Sequence, residues 1–151
     1  MKTQIIDYGL NYELKRAHYN DAGVDVRNVE KISIHFGSNE KVRLGFGIKL
    51  PDAFAAYVVP RSGLSTLGLS TELAPIDSGY QGEIHAIMTL AASPSAKLFE
   101  KDGFSREGDY LVIEPGTRIA QLVIHPIILP DFVKELGEER GTTGFGASGT
   151  K

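Results

Sequence analysis

The chain has 151 residues, enough for one domain that buries about two thirds of its unfolded surface. Its 42% hydrophobic content argues for a packed core, and the absence of cysteine excludes disulfides, thiolate metal sites and cysteine nucleophiles. A net charge of −3 argues against a general nucleic-acid binder, while leaving room for one anionic ligand held by a few arginines.

Met1 to Asp7 carries no sustained apolar run, and no segment reaches the roughly 18 to 20 apolar residues of a spanning helix. The expected setting is therefore cytoplasmic, with no membrane partner. The first strand candidate is Gln4–Tyr8. Ile32, Ile34 and Phe36 then alternate with polar neighbours, and after a Gly37-Ser38-Asn39-Glu40 turn Val42, Leu44, Phe46, Ile48 and Leu50 do the same. This pattern reads as a hairpin with one buried face. Ala55–Val59 is the next strand, followed by a short helix around Gly63–Leu67. Glu83–Leu90, Tyr110–Ile113 and Arg118–Ile124 complete the strands, and a weak turn lies at Phe132–Leu136. Turn residues punctuate the series at Pro51-Asp52, Pro60, Ser78-Gly79 and Glu114-Pro115-Gly116-Thr117. Short strands at this spacing predict an all-β sandwich or barrel in a single domain over 1–151, without internal repeats.

Two stretches stand apart. Residues 93–108 are long and polar for a hairpin connection, which predicts an inserted loop with its own job. Residues 137–151 carry five glycines and almost no apolar side chain besides Phe145, which predicts a mobile C-terminal arm when nothing is bound.

Five short blocks follow one another: Asp21-Ala22-Gly23-Val24-Asp25-Val26, Pro60-Arg61-Ser62-Gly63-Leu64, Ile76 to Ile84 (with Asp77, Tyr80 and Gly82), Gly116-Thr117-Arg118-Ile119-Ala120-Gln121-Leu122, and Arg140 to Gly149 (with Phe145 and Gly146). Taken singly, each has a plainer reading. Asp77-Ser78-Gly79 is a good turn sequence, Tyr80 an ordinary strand aromatic, and Arg61 a solvated charge beside a turn. A glycine-rich end is usually loose. His18, His35, His85 and His125 lack metal-like spacing and read as structural or surface groups. It is their joint order and spacing, across nearly the whole chain, that resembles the five motifs of the trimeric dUTPases, including phage-type members.

The residue types suit the chemistry this resemblance implies. A nucleoside triphosphate carries about four negative charges, and catalysis on it is mainly positioning and charge stabilisation. Arg61, Arg118 and Arg140 supply planar, permanently charged forks for phosphate oxygens. Ser62, at a strand-to-helix turn, offers a hydroxyl and nearby backbone N–H groups. Glycines in the tail allow close backbone approach, and Phe145 can stack on a base.

The resemblance implies a jelly-roll-like distorted β-barrel with one short helix, and hydrolysis of dUTP to dUMP and pyrophosphate at sites shared within a homotrimer. By position, Asp77 matches the catalytic aspartate that deprotonates the water attacking the α-phosphorus. Tyr80 matches the tyrosine that lies against the deoxyribose and excludes a 2′-hydroxyl. Asp25 matches a carboxylate that holds the Mg²⁺ region through water, the ion being held mainly by the triphosphate. Arg61, Ser62, Gly63 and Gln121 fall at the phosphate-binding positions. Arg140 matches the arginine brought onto the γ-phosphate, and Phe145 with Gly146 the aromatic cap over uracil.

Ser70-Thr71-Glu72-Leu73-Ala74-Pro75 is shorter than in most of the family and lacks an asparagine near the base. Pro75 has no N–H to donate, so a broader dUTP/dCTP specificity is the alternative reading. The related dCTP deaminases require a glutamate on the strand after the aspartate turn, where this chain has His85-Ala86-Ile87-Met88-Thr89, and a second arginine where it has Thr66. Deamination is not expected. Viral relatives can carry segments between the third and fourth motifs, where 93–108 lies with exposed-looking Leu98, Phe99 and Phe104. A regulatory protein partner docking there is a further alternative to the plainer reading of a solvated loop.

Overall fold

Burial alternates along the strands much as the sequence predicts, and it fixes which side of each strand faces the core. The computed structural model describes residues 2–135. Its elements are β1 (Gln4–Asp7), β2 (Val24–Arg27), β3 (Ile32–His35), β4 (Asn39–Arg43), β5 (Phe46–Lys49), β6 (Phe54–Pro60), α1 (Ser62–Ser65), β7 (Leu69–Thr71), β8 (Pro75–Asp77), β9 (His85–Leu90), a 3₁₀ turn (Ala96–Glu100), β10 (Phe104–Glu107), β11 (Tyr110–Ile113) and β12 (Arg118–Pro126). The strands form four small antiparallel sheets, ordered β1-β5, β10-β11-β3, β2-β12-β6-β8 and β4-β9-β7. They enclose one core around Phe46, Leu44, Ile34, Met88, Leu111 and Ile119. The result is an all-β, jelly-roll-like barrel with one short helix.

Three expectations need correction. The runs at Ile32–Phe36 and Val42–Leu50 do not form a hairpin: β3 pairs with β11, β4 with β9 and β5 with β1. Alternation shows which face of a strand is buried, and says nothing about its partner. Gly37 carries the chain from one sheet to another, and its N–H donates to the Ala91 carbonyl at 3.1 Å. The second run is also interrupted between β4 and β5 by Gly45, whose φ is 87°. A Cβ there would lie 2.7 Å from Val29 and 3.1 Å from Leu10, so the bend requires glycine for both torsion and space.

The exposed reading of Leu98, Phe99 and Phe104 also fails. Leu98 is 0% exposed, Phe104 7%, and Phe99 packs partly against the core. Ser95 caps the 3₁₀ turn by accepting from the Lys97 N–H at 3.2 Å, and β10 then pairs with β11. The apolar residues of 93–108 are thereby turned inward, and Arg106 spans Phe36 and Phe99 with its guanidinium 5.0 and 5.8 Å from their ring centres.

The helix starts one residue earlier than expected, because extended Arg61 (φ −92°, ψ 127°) takes the N-cap position. It is a single turn, too short to provide much dipole. At the expected weak turn the chain bends at Lys134, and Leu136 lies outside the described residues.

Candidate active site

The sequence-predicted site residues among the described ones lie in or beside the four-stranded sheet β2-β12-β6-β8, which separates them into two groups. The first group sits where β2, β12 and the end of β6 meet. In β12, Gln121 is in register with Asp25 on one side and Val59 on the other. Asp25 is mostly buried and lies 3.6 Å from the Arg118 guanidinium. Arg61 follows the last residue of β6, and its Nη1 donates to the Arg118 carbonyl at 2.9 Å. Ser62 and Gly63 are exposed at the start of α1, and a Cβ on Gly63 would meet nothing within 4 Å.

Gly23 has a defined reason to be glycine. A Cβ there would lie 2.8 Å from Gln121 Oε1 and 2.9 Å from Gln121 Cβ. The turn before β12 is held by Asn28, which is fully buried: its Nδ2 donates to the Glu114 and Glu30 carbonyls, both at 2.9 Å, and its Oδ1 accepts from the Thr117 N–H at 3.1 Å. Arg27 Nη1 donates to the Gly116 carbonyl at 2.7 Å. A buried amide that satisfies three partners fixes the turn from which Arg118 projects.

Arg27, Arg61, Lys101 and Arg118 line one cavity of about 360 Å³, with Asp102 and Glu114 on its wall. The Arg61 guanidinium is held below its ordinary value, first by burial and then by Arg118, with Asp25 opposing and Arg27 adding to the effect. Arginine keeps its charge at neutral pH regardless, so the cluster is a preformed, self-repelling group of cations that an anion would relieve.

The second group lies at the other end of β6. Asp77 ends β8 in register with Ala55, and its exposed carboxylate has no hydrogen-bond or ion-pair partner among the described residues. The Tyr80 N–H closes the turn onto the Asp77 carbonyl at 3.0 Å. Tyr80 is 49% exposed, and its hydroxyl donates to the Glu83 carbonyl at 2.9 Å. It borders a second cavity, of about 220 Å³, together with Lys41, Glu72, Pro75, His85 and Ile87.

One chain does not bring the two groups together. Ala55 and Arg61 are six positions apart, about 20 Å of strand at ~3.3 Å per residue. The Arg61 side chain also turns toward β12, on the opposite side of β6 from β8.

Arg140, Phe145 and Gly146 lie outside the described residues. Among the described residues no cluster of three or more His, Cys, Asp or Glu side chains could hold a metal ion. Sequence reasoning missed Arg27, Lys101, Arg43 and Glu83. Arg27 follows the first block by a single residue, which was the only local signal; the others meet their partners across sheets.

Comparison with known proteins bears on the family and the fold. A family model described as dUTPase matches residues 13–97. The deoxyuridine 5'-triphosphate nucleotidohydrolase of Leifsonia xyli subsp. xyli (strain CTCB07) is 37% identical over 139 residues, covering 88% of this chain and 82% of that protein. Its counterpart in Tropheryma whipplei (strain Twist) is 34% identical over 155 residues, covering 99% and 96%. Among solved structures, a Staphylococcus bacteriophage 80alpha dUTPase mutant with dUpNHpp superposes with a TM-score of 0.75 at 27% identity, over 99% of each chain. A mutant dUTPase from phage phi11 of S. aureus, solved with a structural Mg(II) ion, is alike in fold, with a TM-score of 0.76 at 22% identity over 93% and 99%.

Proposed function

The chain belongs to the dUTPase family, and on that premise we propose that it hydrolyses dUTP to dUMP and pyrophosphate at sites shared between the subunits of a homotrimer. The observation that carries the shared site is the separation of Asp77 and Tyr80 from Arg61, Ser62, Gly63 and Gln121 along β6. A general base must come within hydrogen-bond reach of its water, and a guanidinium must touch the phosphates of that same substrate. A neighbouring copy presenting its Asp77 end to this chain's arginine end satisfies both requirements.

In this reading Asp77 accepts a proton from the water as its oxygen attacks the α-phosphorus. The bond from that phosphorus to the bridging oxygen breaks, and pyrophosphate leaves with the electron pair. The proton on Asp77 then passes to solvent as the products leave. Arg61, Ser62, Gly63 and Gln121 hold the phosphates, while Tyr80 lies against C2′ and leaves no room for a ribose hydroxyl. Arg140 is assigned to the γ-phosphate, and Phe145 with Gly146 to uracil.

The donor set suits Mg²⁺ held mainly by the substrate. That ion keeps several waters and takes one or two carboxylates besides phosphate oxygens, and Asp25, already paired with Arg118, can hold it through water. When bound, the ion would supply charge neutralisation to the phosphates.

A cytoplasmic setting suits this activity, and no helix among the described residues is long and apolar enough to cross a membrane. A regulatory partner on 93–108 would meet Lys97, Glu100, Lys101 and Asp102 rather than an apolar patch, since Leu98 and Phe104 face the core. The test of the main reading is pyrophosphate release with Mg²⁺ from dUTP, dCTP, dTTP and UTP. Rapid release from dUTP alone supports it, and no release from dUTP refutes it.

A further inference from the structure

The turn that carries Tyr80 has little to hold it by itself. Ser78-Gly79-Tyr80-Gln81-Gly82 is polar and contains two glycines, and the first core anchor after it is Ile84. Glu83, between the turn and that anchor, is bound at both ends. Its carboxylate Oε2 accepts from Arg43 Nε at 2.9 Å and from the Gly45 N–H at 3.2 Å, while its carbonyl accepts the Tyr80 hydroxyl at 2.9 Å. We propose that Glu83, held by Arg43, is a positioning residue that sets the pose of Tyr80 and through it the discrimination between deoxyribonucleoside and ribonucleoside triphosphates. This rests on the reading of Tyr80 as the residue that contacts the sugar.

The surroundings show why this brace leaves so little slack. Arg43 uses its remaining nitrogens on the Tyr8 carbonyl at 2.8 Å and on Glu30 at 3.3 Å. Tyr8 in turn donates its hydroxyl to the Gln81 carbonyl at 2.9 Å. The turn is thus gripped on either side of Gly82, through Gln81 and through Glu83. The Tyr80 ring lies directly on that glycine: a Cβ on Gly82 would fall 2.6 Å from the tyrosine oxygen and 2.8 Å from Cζ. Behind it, a Cβ on Gly47 would fall 2.6 Å from the Gly82 carbonyl oxygen.

Glu83 is the well-shielded partner of this network, with its side chain 18% exposed, whereas the outer Glu30 is 62% exposed. The pair Arg43–Glu83 therefore keeps its geometry where a surface pair would be loosened by water and salt. A sugar-reading ring must be held within about 0.5 Å and 10–20° of its working pose, and a hydroxyl-sized gap is the whole difference between the two sugars. An ion pair that only stabilised the turn would change stability and leave the sugar preference alone.

The experiment measures kcat/KM for dUTP and UTP in wild type, Glu83→Gln, Arg43→Lys, Tyr8→Phe and Tyr80→Ala, with Tm for each. Glu83→Gln keeps the shape and removes the charge; it is expected to lower the dUTP-to-UTP ratio on the order of 10-fold, the effect of losing one charge-assisted hydrogen bond. Arg43→Lys is expected to lower it less, since an ammonium retains the charge without the fork. Tyr8→Phe removes only the hydroxyl on the Gln81 carbonyl and decides the matter if Glu83→Gln does not fold; a fall in the ratio supports the brace. If Tyr80→Ala abolishes the preference while the folded brace variants all keep the wild-type ratio, the positioning role is wrong and the assignment of Tyr80 stands. If Tyr80→Ala leaves the ratio unchanged, the sugar-contact reading fails and the proposal goes with it.

Discussion

Asp77 and Arg61 stand at opposite ends of one strand: Asp77 is in register with Ala55 near the start of β6, and Arg61 follows Pro60 at its end. Two residues assigned to the same substrate are thus kept apart by the rigidity of the sheet. On the proposed function, a neighbouring copy supplies what the single chain does not.

Complementation between two inactive variants tests this directly. Asp77→Asn keeps the shape of the carboxylate but cannot take a proton, and should lose ~10² to 10⁴ in rate while retaining dUTP binding. Arg61→Ala should lose activity through the phosphate site. When the two are mixed, unfolded and reassembled, about a quarter of the sites in symmetric trimers should combine an intact Asp77 with an intact Arg61 from another chain. Recovery of activity near that fraction supports the shared site. A mixture that stays as inactive as its parents would place both residues in one chain's site and overturn it.

Gly23→Ala isolates the phosphate end. The new methyl would meet Gln121 Oε1 and Cβ at 2.8 and 2.9 Å, closer than carbon packs against either atom. Gln121 must move or the β2–β12 pairing must open, at a stability cost of about 1–3 kcal/mol. KM for dUTP should rise while the dUTP-to-UTP ratio stays put, because Tyr80 lies at the far end of the sheet. Steady-state kinetics with thermal melting checks this; an unchanged KM would remove Gln121 from the phosphate contacts.

Why the sequence showed some of this and hid the rest follows from the reach of each signal. Period-two alternation marked Tyr110–Ile113 with its correct bounds and Ala55–Val59, Glu83–Leu90 and Arg118–Ile124 to within two residues. It could not show that β3 and β4 belong to different sheets, since strand pairing depends on residues some seventy-five positions away, as in Ile34 opposite Leu111. It also left β2, β7, β8 and β10 unmarked, each only three or four residues long. In the site, Asp77, Tyr80, Arg61 and Gln121 stood out because they belong to contiguous blocks. Arg43 lies in no block, and Glu83, though inside the third, showed no role there, because an ion pair joining residues forty apart in the chain has no local signature.

Tyr12 gives the fold a marker for alkaline unfolding. Its hydroxyl donates to the Leu44 carbonyl at 2.8 Å, and burial pushes its pKa up to about 12, against an ordinary value near 10. Because the folded value is the higher one, the contribution of neutral Tyr12 is fully present below pH ~10 and is lost as pH rises from there toward 12. Chemical denaturation between pH 8 and 11.5 should show stability falling through this window. Tyr12→Phe should be less stable at pH 8, having lost the hydrogen bond, and should show a shallower alkaline fall. An identical alkaline slope in both proteins would remove Tyr12 as a source of that dependence.

Ending the chain after Glu139 should separate folding from catalysis. Among the described residues the core ends at Ile124. The shortened protein should keep its melting temperature and its sedimentation as a trimer. It should lose most of its turnover, because it lacks Arg140 and Phe145. Dissociation of the trimer would make the segment structural, and full turnover would remove the fifth block from the mechanism.

Base selectivity turns on the segment before Asp77, and on the proposed function the groups beside Tyr80 are those available to read the base. Pro75, which has no N–H, opens β8 at the edge of its sheet, opposite Tyr57, and among the described residues β8 pairs only with β6. The same residue borders the cavity beside Tyr80, where Lys41 and His85 add side-chain donors and Glu72 an acceptor. Uracil presents an oxygen acceptor where cytosine presents an amino donor. A wall that donates there leaves its donor unpaired against cytosine, at a cost of about 1–3 kcal/mol, or ~10-fold to 100-fold in kcat/KM. We therefore expect dUTP to be preferred over dCTP by that factor despite the loss of one main-chain donor at Pro75. The ammonium of Lys41 repels an amino donor, and Glu72 is the group that could accept one, so Glu72→Gln should widen the preference if the carboxylate has been accommodating cytosine. Pyrophosphate release measured side by side with dUTP and dCTP decides between these readings. Comparable kcat/KM for the two would mean that the edge of the pyrimidine is not read, and the enzyme would be a broader deoxypyrimidine triphosphatase.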